Sequence, residues 1–148
     1  PYFFDSRGRI HGLNLSHTRV YLYRALLENC GYGLRYDLEL FKRQAESGDI
    51  TLRRVIAMEG GAKSRLWRQI VSDILNLPQE YVDNPGSCYG AAYLAGYGVG
   101  AFKDFNSLRD NWVKVAEVTY PKPENRRIYD ELFKAYEMLE ESERASRP

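Results

Sequence analysis

The apolar positions of the chain fall into short runs and helical stripes, and the clearest change from one to the other lies between Val55 and Leu75. Val55-Ile56-Ala57-Met58 is a short apolar run bounded by charge, which predicts a buried strand of an α/β sheet. Gly60 and Gly61 follow. Leu66, Trp67, Ile70, Val71, Ile74 and Leu75 then recur at helical spacing, with Ser64 placed to cap the helix N-terminus. The segment reads strand, glycine turn, helix.

The same reading extends to both sides. "RIHGLNL" alternates like a short strand, and "SHTRVYLYRALLENCGYGL" predicts a helix with Leu22, Ala25 and Leu26 on one side and Gly31 and Gly33 near its end. A second helix is expected from about Asp37 to Glu46, closed by "ESGD". After Leu75 come a turn at Pro78, a brief strand around Tyr81 to Asp83 and a turn at Pro85-Gly86. In "CYGAAYLAGYGVGAF", Gly90, Ala91, Ala92, Ala95 and Gly96 predict a narrow helix able to pack closely. Pro121 and Pro123 precede a final helix, whose Ile128, Leu132, Tyr136 and Leu139 share one face and dock it on its own domain.

The glycine turn carries the candidate chemistry. Missing β-carbons let the backbone take positive φ, or let a flat ligand lie against the main chain, and the helix N-terminus beyond favours negative charge. A nucleotide answers that description, and so does a tight turn with no ligand. A Walker A loop needs glycine before its lysine, whereas Ala62 precedes Lys63 and Ala57 stands where the leading glycine belongs; GxGxxG is absent too. A bound nucleotide would therefore meet the glycines with its base and ribose rather than its phosphates.

Composition narrows the rest. The chain has 148 residues, 44% hydrophobic and 28% charged, which suits one folded domain. A net charge of +1 argues against a broad nucleic-acid footprint, so Arg53-Arg54, Arg65 with Arg68, and Arg126-Arg127 read as solvated faces. Cys30 and Cys88 form no CxxC pair and have no histidine at ligand spacing, so structural zinc is not expected and both thiols are expected to be free. With no secretory leader and no apolar run long enough to span a bilayer, the expectation is a cytoplasmic protein that does not engage membranes. The start at Pro1, without methionine, suggests that something upstream has been removed. No repeat or low-complexity segment occurs. His11 and His17 have no nucleophile placed beside them, and Glu28, Asp73 and Asp83 form no carboxylate pair. Pattern and composition reach an α/β domain with a turn fit for a nucleotide.

Four blocks, "GLNLSHTRVYLYRALLEN", "EGGAKSRLWRQIVSDIL", "GSCYGAAYLAGYGVGAF" and "YPKPENRRIYDELFKAYEML", together resemble the C-terminal part of the FGGY family of carbohydrate kinases, especially its xylulokinase-like branch. Their order and spacing agree over nearly the whole chain. The resemblance implies part of an actin/hexokinase-like (ribonuclease H-like) ATPase domain, helix-rich with a small sheet, forming the nucleotide side of a two-domain sugar kinase over residues 1–148. "GGAKSxLWRQ" resembles the family's adenosine motif, which implies that Gly60, Gly61 and Ala62 border the adenine and ribose of ATP, with Ser64 and Arg65 nearby. Glu59 stands where many members carry a third glycine, although acidic residues occur there in glycerol-kinase-like members. Tyr21 stands where His or Asp is common.

In this family the sugar site, the aspartate that deprotonates the attacking hydroxyl and the phosphate-binding turns belong mainly to preceding sequence. The resemblance thus implies ATP and a sugar or polyol as partners, a pentulose such as xylulose foremost, with Mg²⁺ and the sugar held through the absent N-terminal half. Gluconate, ribulose or glycerol are the alternative substrates, and a non-catalytic interaction module is the alternative of another class; a homodimer is left open. Half a cleft cannot position a phosphoryl transfer, so this chain alone is expected to phosphorylate no sugar.

Overall fold

A computed structural model describes residues 8–44, 52, 54–83, 86–104, 106 and 112–145. In chain order the elements are α1 (Arg19–Gln44), β1 (Val55–Met58), the single turn α2 (Glu59–Ala62), α3 (Arg65–Leu75), β2 (Gln79–Val82), α4 (Ser87–Gly98), β3 (Val115–Thr119), a 3₁₀ turn (Pro123–Asn125) and α5 (Arg126–Ala145). Strand, turn and helix between Val55 and Leu75 lie where the apolar pattern puts them. "ESGD", Pro85 and Arg53 fall outside the described residues.

The described strands form one sheet in the order β1-β2-β3. β1 and β2 run parallel, with Val55 opposite Gln79 and Met58 opposite Val82, and β3 returns antiparallel to β2, with Thr119 opposite Gln79. The expected strand at Tyr81 to Asp83 is therefore displaced to Gln79–Val82, and β3 lies in a stretch to which the sequence pattern assigned no strand. β1 is not buried on both faces as expected: Ile56 is 44% and Met58 42% exposed, the alternation of a strand with one covered face.

α1 departs most from expectation. It is one continuous helix through Gly31 and Gly33, where a stop and a second helix were expected. Gly31 serves a contact instead: a β-carbon there would lie 2.6 Å from the Ile74 Cδ1 of α3, so the missing side chain lets the two helices approach. "RIHGLNL" forms no strand. Gly12 takes a φ of +74°, and Asn14 folds the chain into a turn, its Oδ1 accepting from the Ser16 N–H at 2.9 Å while its own N–H donates to His17 Nδ1 at 3.0 Å. His17 is thus a turn residue at the helix start.

The core sits among α1, α3 and α5: Tyr32, Ile70, Ile74, Tyr129 and Phe133 are buried together, with Leu27, Tyr36 and Tyr136 against them. α5 docks on its own domain through Tyr129, Phe133 and Tyr136, whereas Ile128, Leu132 and Leu139 remain exposed. Tyr136 docks as expected, but Tyr129 and Phe133 take the contacts expected of Ile128 and Leu132, one position before each. Tyr32 meets Tyr136 at 5.7 Å and Tyr129 edge-on at 6.3 Å between ring centroids. Arg35 ties the three helices, donating to the Ile74 carbonyl at 3.3 Å, pairing with Asp130 at 2.7 Å and lying over the Phe133 ring. Burial alone would raise the Asp130 pKa, but hydrogen bonds from Arg35 and Arg126 hold it below the usual carboxylate range.

α4 presents Ala91, Ala92 and Ala95 to solvent, so among the described residues its small stripe packs against no helix. Its anchor is the buried Tyr93, stacked on Phe102 at 4.5 Å and edge-on to Trp112 at 5.6 Å, and Gly96 leaves room for the Phe102 ring. Cys30 and Cys88 are free, as expected, and both are exposed. Among the described residues no helix is long and apolar enough to cross a membrane.

Two substitutions test this core. Ile74 is completely buried, and Ile74→Ala should cost about 2–5 kcal/mol in denaturant unfolding. The Tyr32 hydroxyl is buried with no hydrogen-bond partner among the described residues, and burial raises its pKa far above that of a free tyrosine. Tyr32→Phe removes an unsatisfied polar group and should leave stability unchanged or raise it by up to about 1 kcal/mol. A loss larger than that would mean the hydroxyl has a partner.

Candidate functional site

The turn after β1 lies at the carboxyl end of a strand paired in parallel with its neighbour, the edge at which open α/β sheets bind ligands. Its backbone differs from the expectation drawn from the glycines. The left-handed residue is Glu59, with φ +67°, and neither Gly60 nor Gly61 has a positive φ. A side chain in that region costs roughly 1–2 kcal/mol. Lys63 N donates to the Gly60 carbonyl at 3.3 Å and Ser64 N to that of Gly61 at 3.1 Å, closing the turn.

The two glycines have different reasons. A β-carbon on Gly61 would overlap the six-membered ring of Trp67, so this glycine is required by the fold itself. A β-carbon on Gly60 would meet nothing within 4 Å. Gly60 is the open position of the turn, where a flat group can reach the main chain.

The remaining expected residues divide in the same way. Ala62 is buried; Gly60, Gly61, Ser64 and Arg65 are exposed. Ser64 caps α3 as predicted, its Oγ accepting from the Trp67 N–H at 3.3 Å. Arg65 is 84% exposed and reaches Glu117 of β3 at 3.3 Å. The four exposed positions lie within one six-residue turn and form its exposed edge, with Ala62 beneath them.

Arg68 corrects the reading of the arginine pairs. Its side chain is 2% exposed, not solvated. Its Nη1 donates to the Ala62 carbonyl, its Nη2 bonds Glu117 Oε2 at 2.7 Å, and its guanidinium lies 4.5 Å from the centre of the Tyr81 ring. A buried cation needs such pairing, because an unmatched one would cost several kcal/mol (roughly) in desolvation. The available signal was helical spacing, which places Arg68 three residues before Val71 on the apolar side of α3. Arg126 and Arg127 do lie on the surface, paired with Asp130 and Glu131 one turn on, and Arg54 pairs with Glu80.

Glu59 is the other residue that the pattern did not mark. Its Oε1 accepts from the Ser87 N–H at 3.1 Å and from the Ser87 hydroxyl at 3.2 Å, joining the turn to the first residue of α4. The three candidate acids are brought to three separate places. Asp73 is a buried tether: Oδ1 accepts from Gln69 at 2.8 Å and from the Lys122 N–H at 2.7 Å, and Oδ2 accepts from Asn125 at 2.7 Å. Glu28 pairs with Arg24 at 2.6 Å, and Asp83 accepts from the Tyr81 hydroxyl at 2.9 Å. Among the described residues no group of three His, Cys, Asp or Glu could hold a metal ion.

Known proteins share this arrangement of elements. A xylulose kinase of Staphylococcus epidermidis is 33% identical over 134 residues, 90% of this chain and 26% of that protein. The crystal structure of a xylulose kinase from Rhodospirillum rubrum superposes with a TM-score of 0.77 at 32% identity, covering 93% of this chain and 28% of its own. Plasmodium falciparum glycerol kinase, solved with ADP, superposes at 0.71 and 25% identity over 90% of this chain and 27% of that one. The chain thus spans little more than a quarter of the length of these proteins, and its fold is that of the actin/hexokinase-like kinases. Residues 4–99 match the sequence profile described as FGGY family of carbohydrate kinases, C-terminal domain, and to that family this chain belongs.

Proposed function

We propose that the chain is the nucleotide side of an ATP-dependent carbohydrate kinase that phosphorylates a hydroxyl of a pentulose such as xylulose. The observation that carries the reading is the open face of Gly60, which leaves the main chain accessible at the carboxyl end of β1. Adenine and ribose lie against Gly60 and the Gly61-Ala62 backbone, flanked by Ser64 and Arg65, and the buried Arg68 holds the turn in shape before the ligand arrives. The family resemblance assigns the metal, the γ-phosphate and the sugar mainly to the rest of the full-length protein. Similarity to xylulose kinases supports the pentulose, and the structural likeness to glycerol kinase supports a polyol as the second reading.

The two glycines allow a test that separates ligand from fold. Gly60→Val puts a side chain into empty space, so in the full-length protein the melting temperature should hold while ATP binding weakens about ten-fold or more. Gly61→Ala should instead lower stability by about 1–3 kcal/mol through the Trp67 ring. A native Gly60→Val protein that binds ATP as tightly as the parent would show that no nucleotide lies on the turn.

The isolated chain should release no ADP from Mg·ATP when offered a panel of pentuloses and glycerol. Turnover above a protein-free control would mean that it carries the catalytic machinery by itself.

A further inference from the structure

We propose that Glu59 is a positioning residue for the nucleotide, a latch between the turn after β1 and the N-terminus of α4; the proposal rests on the nucleotide reading above. Three observations meet at this side chain. First, Glu59 holds a left-handed backbone at φ +67°, which a glutamate does not adopt without compensation. Second, its carboxylate is the acceptor for both the backbone N–H and the hydroxyl of Ser87. Third, the cap position of α4 is Gly86, which supplies no side-chain hydrogen bond, and a β-carbon on Gly86 would run into the Glu59 carboxylate.

A helix start is ordinarily capped by a Ser, Thr, Asp or Asn next to it in sequence, with no strain elsewhere. Here the acceptor comes from another connection, and the local position is left without a side chain to admit it. α4 follows β2, the parallel neighbour of β1, so the latch joins the connections leaving the carboxyl ends of both strands. Gly60 is the next residue along the chain. The dihedral angles of Glu59 therefore set the direction of the open Gly60 face, and the two bonds to Ser87 fix those angles. A carboxylate on the first turn of a helix is also favoured by the helix dipole, which strengthens the latch.

The test compares Glu59→Gly with Glu59→Gln in the full-length protein, reading ADP affinity by calorimetry beside the melting temperature. Glycine can keep φ +67° without strain but has no acceptor; glutamine keeps the acceptor oxygen. Glu59 is exposed, so neither change removes packed volume. The latch predicts ADP binding weakened roughly five-fold or more by Glu59→Gly and restored to within about two-fold by Glu59→Gln, since one retained acceptor can still bond Ser87. Parent-like ADP affinity in Glu59→Gly would overturn the latch and leave the nucleotide site standing. Equal weakening in both variants would assign the carboxylate to the ligand rather than to Ser87, and would overturn it also. No ADP binding by the parent protein would defeat the nucleotide reading, and the latch with it.

Discussion

The guanidinium of Arg68 is the contact on which the rest of the site depends. From one position on α3 it reaches the carbonyl that ends the turn after β1, the carboxylate of Glu117 on β3 and the ring of Tyr81 on β2. Each partner solves a problem that another creates. The Ala62 carbonyl needs a donor, the buried cation needs a counter-charge, and the ring face covers the planar group from solvent. Helix, turn and two strands are thereby tied together by a single side chain. Ties of that kind spare a ligand part of the cost of ordering a loop.

Around this contact α3 is held at both ends. Ser64 caps its start, and Asn76 ends it in the left-handed conformation, its N–H returning to the Ser72 carbonyl. Gln69 and Asp73 secure the segment before α5, and Ser72 donates to the carbonyls of Leu77 and Thr119. Much of the "GGAKSRLWRQ" stretch therefore does structural service: Gly61 admits Trp67, Ser64 caps, Arg68 locks and Gln69 tethers. Gly60 lends its carbonyl to the turn, but a β-carbon there would meet nothing, and this leaves its main chain open to a ligand.

What the sequence disclosed follows from how locally each feature is encoded. β1 and α3 could be read because an apolar run, a cap and a helical stripe all lie within a single stretch. α1 was divided wrongly because the reason for Gly31 is Ile74, a contact far along the chain that no local rule contains. β3 was missed because its short sequence, VAEVT, is mostly exposed and is made a strand by pairing with β2. The face of α5 was read correctly at Tyr136 but missed Tyr129 and Phe133, because the aliphatic Ile128 and Leu132 were followed where the docking residues are aromatic. At the site, the turn and the Ser64 cap were legible, and the resemblance supplied the family. The burial of Arg68 and the reach of Glu59 to Ser87 required three dimensions.

The central claim is that the exposed edge of the turn after β1 receives a nucleotide. Amide hydrogen exchange of the full-length protein with and without ADP tests it most directly, because the readout is local and requires no substitution. The account predicts that ADP slows exchange in the peptide spanning Glu59 to Arg65 and leaves the core peptides around Tyr32 and Phe133 unchanged. Bound ADP that protects other segments while the Glu59 to Arg65 peptide exchanges at its original rate would contradict it.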